Sequence, residues 1–298
     1  MGRTSEVVRR YQFTSGNELR LAAIDPADTG RITSKEKARA ALARGIERLS
    51  ALQEKLYAQD RWAVLLVFQA MDAAGKDGTI KHVMSGVNPQ GCEVHSFKSP
   101  SVEELNHDFL WRCAVRLPER GRIGIFNRSY YEEVLVVRVH TEFLAAQRLP
   151  SRLVSPEIWA ERFDDIVTFE RHLARNGTLI LKFFLHVSRD EQRRRFLERL
   201  DTPDKNWKFS PADVAERRHW DAYMAAYGEM LRATAKPEAP WYVVPSDHKW
   251  FARYVVAEAV IGALEGLDLT YPTVDAARRK ELRRVRADLM AEADSTAD

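Results

Sequence analysis

The residues best suited to chemistry lie at positions 70–79, which read Ala-Met-Asp-Ala-Ala-Gly-Lys-Asp-Gly-Thr. They follow an apolar run at 63–68 that has the composition of a buried strand. Between a strand and a helix, a Gly-Lys turn is typical of a phosphate-binding loop, because N–H groups at the helix N-terminus surround a phosphate and the lysine neutralises it. The pattern therefore predicts phosphoryl chemistry with Lys76 as the cation. The other predicted phosphate-binding residues of the loop are Ala73, Ala74, Gly75, Asp77, Gly78 and Thr79.

The loop departs from the common Gly-x-x-x-x-Gly-Lys-Ser/Thr pattern at two positions. Ala70 stands where the first glycine belongs, and Asp77 replaces the hydroxyl residue that ordinarily binds magnesium. Asp72 would repel a phosphate unless a metal ion lay between them, and Mg²⁺ favours one or two carboxylates together with phosphate oxygens. Asp72 is therefore a candidate Mg²⁺ ligand. These residues alone also fit a plain strand–turn–helix in which Gly75 only permits the turn.

A second polar group follows the apolar run at 123–126. Asn127 occupies the position where phosphate-loop enzymes usually carry an acid, and Arg128 can bind a phosphate through two N–H groups. Glu132 lies about one helical turn further on. The alternatives are a helix cap for Asn127 and a solvated helix position for Glu132. Because parallel strands end at the same edge of a sheet, both polar groups are expected beside the phosphate loop.

The most charged segment lies between positions 188 and 219. Glu191 and Arg195 are four residues apart, which is typical of an exposed, ion-paired helix face. The competing interpretation is a mobile lid whose arginines, Arg195 and Arg199 on one face, close over phosphates and exclude water. Additional cations would suit a long polyanion, which needs a counter-charge for each phosphate. These additional cations are Lys81, Lys98 and Arg112.

Strands and helices alternate along the chain. Several predicted strands are apolar on both faces, which is typical of a parallel sheet covered by helices. The sequence therefore predicts an α/β fold, a three-layer αβα sandwich with a five-stranded parallel sheet in a single domain. The predicted strands are 62–68, 92–97, 123–126, 178–187 and 241–244, and the main predicted helices are 34–56, 76–85, 102–117 and 156–175. The predicted parts are an N-terminal helical arm at 1–58, a core at 59–188 and 233–270, a lid at 189–232, and a C-terminal helix and tail at 271–298.

The bulk composition excludes several classes of protein. The chain has 298 residues, 45% of them hydrophobic, and a formal net charge of only +3, so an anion site must come from local clustering. Cys92 and Cys113 form no metal or redox motif. No apolar run reaches the length of a membrane span, and the basic residues alternate with acids without a nucleic-acid-binding signature. We therefore expect a cytoplasmic protein that has neither a membrane nor a nucleic acid as its partner.

Taken together, these motifs make the chain resemble the polyphosphate kinase 2 family. The similarity covers most of the chain, from about Asp25 to about Tyr254. It is carried by Ala-Met-Asp-Ala-Ala-Gly-Lys-Asp-Gly-Thr-Ile-Lys-His at 70–82, Gly-Val-Asn-Pro-Gln-Gly at 86–91, His-Asp-Phe-Leu-Trp-Arg at 107–112, Asn-Arg-Ser-Tyr-Tyr-Glu at 127–132 and Lys-Asn-Trp-Lys at 205–208.

The resemblance implies a P-loop kinase fold similar to thymidylate kinase, with a helical lid. It also implies transfer of a terminal phosphoryl group between inorganic polyphosphate and a nucleotide, assisted by Mg²⁺, with Mn²⁺ as a substitute. Many family members have Asp where this chain has Asn127 and Asn where it has Glu132. The pair found here looks like the class III subgroup, which phosphorylates AMP and ADP to ADP and ATP.

The resemblance implies roles for individual residues as well. Asp72 and Lys76 match the family's metal and phosphate residues, and Glu132 would supply a second carboxylate. Arg128 and lid arginines such as Arg195 would contact phosphates. Lys205 and Lys208 belong to the matching lid motif. The family commonly forms dimers or tetramers, and the charged helix near the C-terminus is a candidate for assembly.

Two other functions fit the same residues. An ATP-dependent nucleoside monophosphate kinase on this fold would need the same loop and arginines. A non-catalytic protein that binds polyphosphate or nucleotides would need the cations but no turnover.

Overall fold

The central strand of the fold is the apolar segment before the glycine–lysine loop. In the computed structural model, which describes residues 6–30, 32 and 34–295, this strand is Ala63–Gln69 and all of its residues are buried. The side chains of Lys205, Lys208 and residues 293–295 lie outside that description. The strand pairs in parallel with one neighbour on each side, so its backbone N–H and C=O groups are satisfied within the sheet.

The remaining elements alternate around this strand. The strands are β1 (Gln12–Phe13), β2 (Ala63–Gln69), β3 (Cys92–Ser96), β4 (Ile123–Asn127), β5 (Thr178–His186) and β6 (Trp241–Pro245). The α-helices are α1 (Glu6–Arg9), α2 (Lys35–Gln59), α3 (Lys76–Val83), α4 (Trp111–Ala114), α5 (Val136–Val139), α6 (Glu142–Ala146), α7 (Ile158–Arg175), α8 (Arg189–Leu200), α9 (Pro211–Glu216), α10 (Trp220–Thr234), α11 (Lys249–Glu265) and α12 (Ala276–Ser295). Short 3-10 helices cover Leu21–Ala23, Pro89–Gly91, Glu104–Asn106, Tyr130–Val134, Ser151–Leu153, Pro203–Lys208 and Arg217–His219.

The sheet has six strands in the order β1-β6-β5-β2-β4-β3. The predicted parallel sheet is confirmed for the five strands β2 to β6. The sixth strand, β1, was not predicted. It pairs antiparallel with β6 through Gln12 opposite Tyr242 and Phe13 opposite Trp241. Two residues are too few to show the alternation by which a strand is recognised, so only the tertiary pairing reveals it.

Helices cover both faces of the sheet, as predicted for a three-layer sandwich. On one face α11 packs against α2 and α3. On the other, α7 packs against β5, α10 and the 3-10 helix Tyr130–Val134. Strand order reverses at β2, since β3 and β4 lie on one side of it and β5 and β6 on the other. Ligands bind at such a switch point, beyond the carboxyl ends of the strands.

The predicted helix over 102–117 is wrong. The chain there forms only the 3-10 helix Glu104–Asn106 and the four-residue α4. The Asp108 carboxylate accepts the N–H of Leu110 at 2.9 Å, a local turn that competes with helical hydrogen bonding. Arg112 then donates from Nη2 to the carbonyl of Lys98 at 2.7 Å, which ties this segment to the end of β3.

The segment predicted as a lid contains α8, α9 and α10. α10 buries Trp220, Tyr227 and Met230 and packs against α7, so this helix is anchored to the core. In contrast, every side chain described in α12 is exposed. Among the described residues, none of the helices has both the length and the apolar composition needed to cross a bilayer.

Candidate active site

The loop after β2 has the backbone shape of an anion site. Ala73 adopts φ of 60° and Gly75 φ of 103°, both left-handed. Left-handed residues alternating with right-handed ones turn successive N–H groups toward a common point, which forms a concave nest for an anion. α3 begins directly after Gly75, so its N-terminal N–H groups point to the same place. Glycine at position 75 is suited to this conformation because it carries no Cβ.

Lys76 is the first residue of α3, and its side chain turns back over the loop. Its Nζ donates to the carbonyl of Ala70 at 2.7 Å. Burial lowers the pKa of Lys76 to about 8, helped by the charge of Arg128 and opposed by Asp72 and Glu132. Lys76 is therefore mostly protonated at neutral pH, although its pKa lies only slightly above that pH. A bound phosphate would favour the charged form and raise the pKa again.

Arg128 links the two polar groups that the sequence analysis identified separately. Its Nη2 lies 3.0 Å from Asp72 Oδ1, and its Nη1 lies 3.9 Å from Glu132 Oε2. Its backbone adopts φ of 65°, a left-handed conformation that costs an arginine free energy. Burial raises the pKa of the Glu132 carboxyl, and the charges of Arg128 and Lys76 oppose that rise. The structure therefore brings Asp72, Lys76, Arg128 and Glu132 together at one edge of the sheet.

Asn127 connects β4 to the first turn of α3. Its Nδ2 donates to Asp77 Oδ1 at 2.7 Å. The aspartate that replaces the usual hydroxyl residue thus has a protein partner of its own. Gln69, at the end of β2, lies on the other side of the site. With its amide oriented so that the oxygen accepts from Ser129, its NH₂ donates to Glu132 at 2.8 Å.

Arg195 lies behind the phosphate loop and is only 3% exposed. Its Nη1 donates to the carbonyls of Ala73 at 3.0 Å and Ala74 at 2.7 Å. Its Nη2 donates to the carbonyls of Ser246 and Asp247. Its Nε donates to Glu191 at 2.7 Å. A guanidinium has five N–H groups, so all of them are used within the protein, and a phosphate contact by Arg195 would require α8 to move.

Arg199 lies further along α8, with its guanidinium 5.6 Å from the ring centroid of Phe196. Burial raises the pKa of the Asp213 carboxyl on α9, and the negative charge of Asp72 adds to that rise. The positive charges of Arg199 and Arg128 lower the pKa of the same carboxyl. Asp213, within the segment predicted as a lid, therefore lies near enough to Asp72 and Arg128 to interact electrostatically with the candidate site.

Comparison with known proteins decides the family. The family model for polyphosphate kinase 2 (PPK2) matches residues 32–271. The chain belongs to the polyphosphate kinase 2 family. It is therefore an enzyme of the kinase class, and the loop, Lys76 and Arg128 form a candidate kinase active site.

The sequences of individual relatives align with this polyphosphate kinase along nearly their whole length. An ADP-polyphosphate phosphotransferase from Rhodopseudomonas palustris is 55% identical over 258 residues, which is 86% of this chain and 89% of the relative. An AMP/ADP-polyphosphate phosphotransferase from Meiothermus ruber is 45% identical over 92% of this chain and 98% of its own. The crystal structure of Polyphosphate Kinase 2 from Arthrobacter aurescens TC1 superposes with a TM-score of 0.85 at 39% identity and covers 94% of this chain and 96% of that one. The P-loop kinase fold is thereby confirmed.

Among the other predicted cations whose side chains the structure describes, Lys98 and Arg112 lie together and Lys81 lies apart from them. Lys98 and Arg112 share an open cleft of about 490 Å³ at the end of β3. Arg112 also lies 3.8 Å from Glu104 and over the ring of Phe97, so part of its charge is already balanced. Lys81 is exposed on α3 and does not line that cleft. Lys205 and Lys208 lie in a 3-10 helix, and their side chains are outside the described residues.

A buried polar network supports the turn that carries Arg128 and Glu132. Tyr130 and Tyr131 donate their hydroxyls to Glu170 of α7 at 2.9 and 2.8 Å. Lys182 of β5 donates to the same carboxylate at 2.6 Å and to the carbonyl of Thr234 at 2.8 Å. Burial lowers the pKa of Lys182, and Glu170 opposes this. Because the tyrosines immediately precede Glu132, the network holds the backbone from which that carboxylate projects.

Replacing Lys182 by Met should destabilise the protein by about 3–5 kcal/mol, because Glu170 would remain buried without its cation. Urea unfolding followed by tryptophan fluorescence measures the loss. The double variant Lys182→Met with Glu170→Gln removes both charges and should recover much of it. A Lys182→Met variant as stable as the wild type would show that Glu170 is neutral in the folded state and that no ion pair exists.

Several site residues were absent from the sequence analysis. Gln69 and Asp213 are polar residues without a motif, although a glutamine at the end of an apolar strand is a usable signal. Lys182 was missed because it is a single charge within an apolar strand, and Glu170 because it is one of several charges on an amphipathic helix. Both contact Tyr131, which lies 39 residues from Glu170 and 51 residues from Lys182 in the sequence. Only the tertiary fold shows that such charges are compensated.

Proposed function

We propose that this polyphosphate kinase transfers the terminal phosphoryl group of inorganic polyphosphate to AMP and ADP, giving ADP and ATP. The observation that carries the proposal is the convergence of Lys76 and Arg128 with the carboxylates Asp72 and Glu132 beside a phosphate loop. The names of the relatives from R. palustris and M. ruber supply the acceptors, ADP in one and both AMP and ADP in the other. The Asn127 and Glu132 pair favours the broader acceptor range.

The transfer needs positioning and charge more than covalent chemistry. The bond between the terminal phosphorus of polyphosphate and its bridging oxygen breaks, and an oxygen of the acceptor's last phosphate forms the new bond. That acceptor oxygen is already ionised, so no general base is required. The loop N–H groups and Lys76 would hold the donor end, and Arg128 would lie against the transferred group. Their fixed charges stabilise the negative charge that spreads over the equatorial oxygens in the transition state.

Mg²⁺, with Mn²⁺ as a substitute, fits the carboxylates at this edge. Asp72 and Glu132 both approach Arg128, so both face the space where phosphates would meet. The described residues contain no group of three or more His, Cys, Asp or Glu side chains able to hold an ion. The remaining ligands would be phosphate oxygens and water, as Mg²⁺ prefers. When bound, the ion would neutralise charge on the phosphates, and Asp72 and Glu132 would hold it.

The proposal also covers the rest of the chain. We assign residues 189–232 to a lid, with α9 and the C-terminal end of α8 as its moving part, because the N-terminal half of α8 is bound to the phosphate loop and α10 is anchored to the core. Lys205 and Lys208 would contact phosphates when this lid closes. The core would comprise 59–188 and 233–270, preceded by the helical arm at 1–58. A cytoplasmic location suits both substrates.

Assembly into a dimer or tetramer is part of the proposal, with α12 as the contact. Leu282, Val285 and Leu289 are 46%, 42% and 60% exposed and lie along one side of α12 at spacings of three and four. The N-terminal half of α12 is rich in arginine, and acidic residues follow Asp288. An antiparallel pair of α12 helices from two copies would cover the apolar residues and place opposite charges together. Light scattering of the purified chain measures its mass.

The decisive assay supplies AMP and polyphosphate without ATP and separates the products by chromatography. Formation of ADP, and then of ATP, would support the proposal. An ATP-dependent monophosphate kinase would make ADP only after ATP is added. Binding of polyphosphate without any turnover would indicate a non-catalytic protein and would refute the proposed function.

A further inference from the structure

Gln69 is a buried amide at the edge of the candidate active site. It is the last residue of the central strand β2, and its side chain is fully buried. It lies one residue before Ala70, whose carbonyl accepts a hydrogen bond from Lys76. An amide side chain carries an acceptor oxygen and a donor NH₂ group, and either group costs free energy when it is buried without a partner. The partners of Gln69 therefore define what this side chain can do.

The orientation of the Gln69 amide is fixed by Ser129. The backbone N–H of Ser129 can only donate, so the amide oxygen must face it, at 3.2 Å. The same oxygen accepts the Ser129 hydroxyl at 3.1 Å. The NH₂ group then points the other way and donates to Oε1 of Glu132 at 2.8 Å. A reversed amide would place two donors together at Ser129 and two acceptors together at Glu132.

Ser129 is itself held in place, so the amide rests on a rigid support. Ser129 is buried and forms the N-cap of the 3-10 helix Tyr130–Val134, where its Oγ accepts the N–H of Tyr131 at 3.2 Å. On the other side, the backbone of β2 is paired with a strand at each edge. Gln69 therefore connects the central strand to the short helix that carries Glu132.

The carboxylate of Glu132 depends on this amide for its position. Among the described residues, Gln69 is the only hydrogen-bond donor to it. Nη1 of Arg128 lies 3.9 Å from Oε2 of Glu132, which is too long for a hydrogen bond. A glutamate side chain has several rotamers, and fixing one of them costs entropy. The bond to Gln69 anchors Oε1 and leaves Oε2 directed toward Arg128.

We propose that Gln69 is a positioning residue, which holds the Glu132 carboxylate toward the space where the phosphates of donor and acceptor would meet. The inference rests on the proposed function, because it takes Glu132 as a ligand of the metal ion in phosphoryl transfer. Loss of an outer partner that orients a ligating carboxylate typically costs about 10–100-fold in metal affinity or activity. A carboxylate at position 69 would not serve, because it would place a second negative charge against Glu132.

Replacing Gln69 by Leu removes the amide and keeps a side chain of similar size. With ADP and polyphosphate as substrates, kcat should fall about 10–100-fold. KM for ADP should change less than about threefold, because the positioned carboxylate acts mainly in the transition state. Gln69→Glu keeps the acceptor for Ser129 but adds a like charge beside Glu132, so its kcat should be no higher than that of Gln69→Leu.

A double-variant cycle tests whether Gln69 acts through Glu132. In an enzyme that already carries Glu132→Gln, the further change Gln69→Leu should lower kcat by less than about twofold, because the carboxylate to be positioned is absent. Two residues that act independently would instead multiply their losses. A further loss of about tenfold or more in the Glu132→Gln enzyme would therefore overturn the proposal.

Binding of Mn²⁺ in the presence of ADP, without polyphosphate, gives a measurement that does not depend on turnover. Electron paramagnetic resonance of the free ion measures the affinity, which should be about tenfold or more weaker in Gln69→Leu than in the wild type. A weaker affinity supports the role of Gln69 even if no ADP is formed from AMP and the proposed function fails. An unchanged affinity overturns that role and leaves the proposed function intact.

Gln147→Leu is the matched control, because Gln147 also donates an amide hydrogen bond to a buried glutamate. Its Nε2 lies 2.5 Å from Oε2 of Glu133, which pairs with Arg162 of α7. Both Gln147→Leu and Gln69→Leu should lower the thermal midpoint by a few degrees, so rates are compared at a temperature where every variant is folded. Gln147→Leu should keep the wild-type kcat and Mn²⁺ affinity. Equal losses of both in the two variants would mean that general loosening of the fold lowers activity, and the proposal would be wrong.

Discussion

Replacement of Lys76 by Ala should lower kcat on the order of 10³-fold, because the variant loses a half-buried cation aimed at the phosphates in the transition state. The effect should fall on kcat more than on KM, since the charge is needed most where negative charge accumulates. Steady-state rates with ADP and polyphosphate measure it. Among the described residues Lys76 donates a hydrogen bond only to the carbonyl of Ala70, so the variant should remain folded.

The same ammonium sets the pH dependence of the reaction. The pKa of Lys76 in the free enzyme is lowered to about 8, so the charged form predominates below that pH and is lost above it. kcat/KM, which reports groups of the free enzyme, should therefore fall as pH rises through about 8. In Lys76→Arg the guanidinium stays charged, so this alkaline limb should disappear from a less active enzyme.

Arg152→Ala is the control for loss of one positive charge, because Arg152 is exposed in the 3-10 helix Ser151–Leu153, outside the candidate site and the proposed assembly helix. It should keep wild-type rates. A Lys76→Ala variant within tenfold of the wild type would refute the role of the ammonium. An alkaline limb that persists in Lys76→Arg would assign the titration to another group.

Replacing Arg128 by Gly should lower kcat on the order of 10³-fold, comparable to the removal of an arginine that stabilises phosphoryl transfer. Stability should change little. Arg128 has φ of 65°, so glycine relieves a backbone strain of about 1 kcal/mol or more. Greater freedom of glycine in the unfolded chain costs roughly 0.5–1 kcal/mol and offsets that gain. The rates and the thermal midpoint of the purified variant measure the two effects separately.

Arg148→Gly is a closely matched control. Arg148 also has a left-handed backbone, with φ of 53°, but it is exposed after α6, where it contacts Asn106. The substitution should have a similar small effect on stability and none on kcat. Arg128→Lys should fall between glycine and the wild type, because it keeps the charge but loses the planar pair of donors. If Arg128→Gly keeps its kcat while Arg128→Lys loses it, the charge is not what the reaction needs.

The position of Arg195 changes how a lid in this family member can work. α8 is attached to the phosphate loop by Arg195 and also by Gln192, whose Nε2 donates to the carbonyl of Asp72 at 2.9 Å. These bonds connect the N-terminal half of α8 to the loop. Closure would therefore involve the C-terminal end of α8, which carries Arg199, and α9, which carries Asp213, with the N-terminal half of α8 as the fixed base. The guanidinium of Arg195 still adds positive charge directly beneath the site.

The sequence by itself determined the features that depend on local patterns. The apolar run at 63–68 and the Gly75-Lys76 pair predicted the phosphate loop, because a buried strand followed by a tight turn leaves a strong signal in residue type. The five parallel strands were predicted for the same reason. Asp72, Lys76, Arg128 and Glu132 were expected together because parallel strands end at one edge.

Only the tertiary structure decided the partners of each charge. Arg195 looked like a surface or lid arginine, yet it is buried because its partners are backbone carbonyls from two distant turns, and carbonyls have no signature in a sequence. Strand β1 was not predicted, because two residues become a strand only through their pairing with β6. The helix predicted at 102–117 was wrong, because the local hydrogen bond of Asp108 outweighed the helical propensity of the segment. Electrostatic energy depends on distance in space, which sequence spacing does not give beyond a few residues.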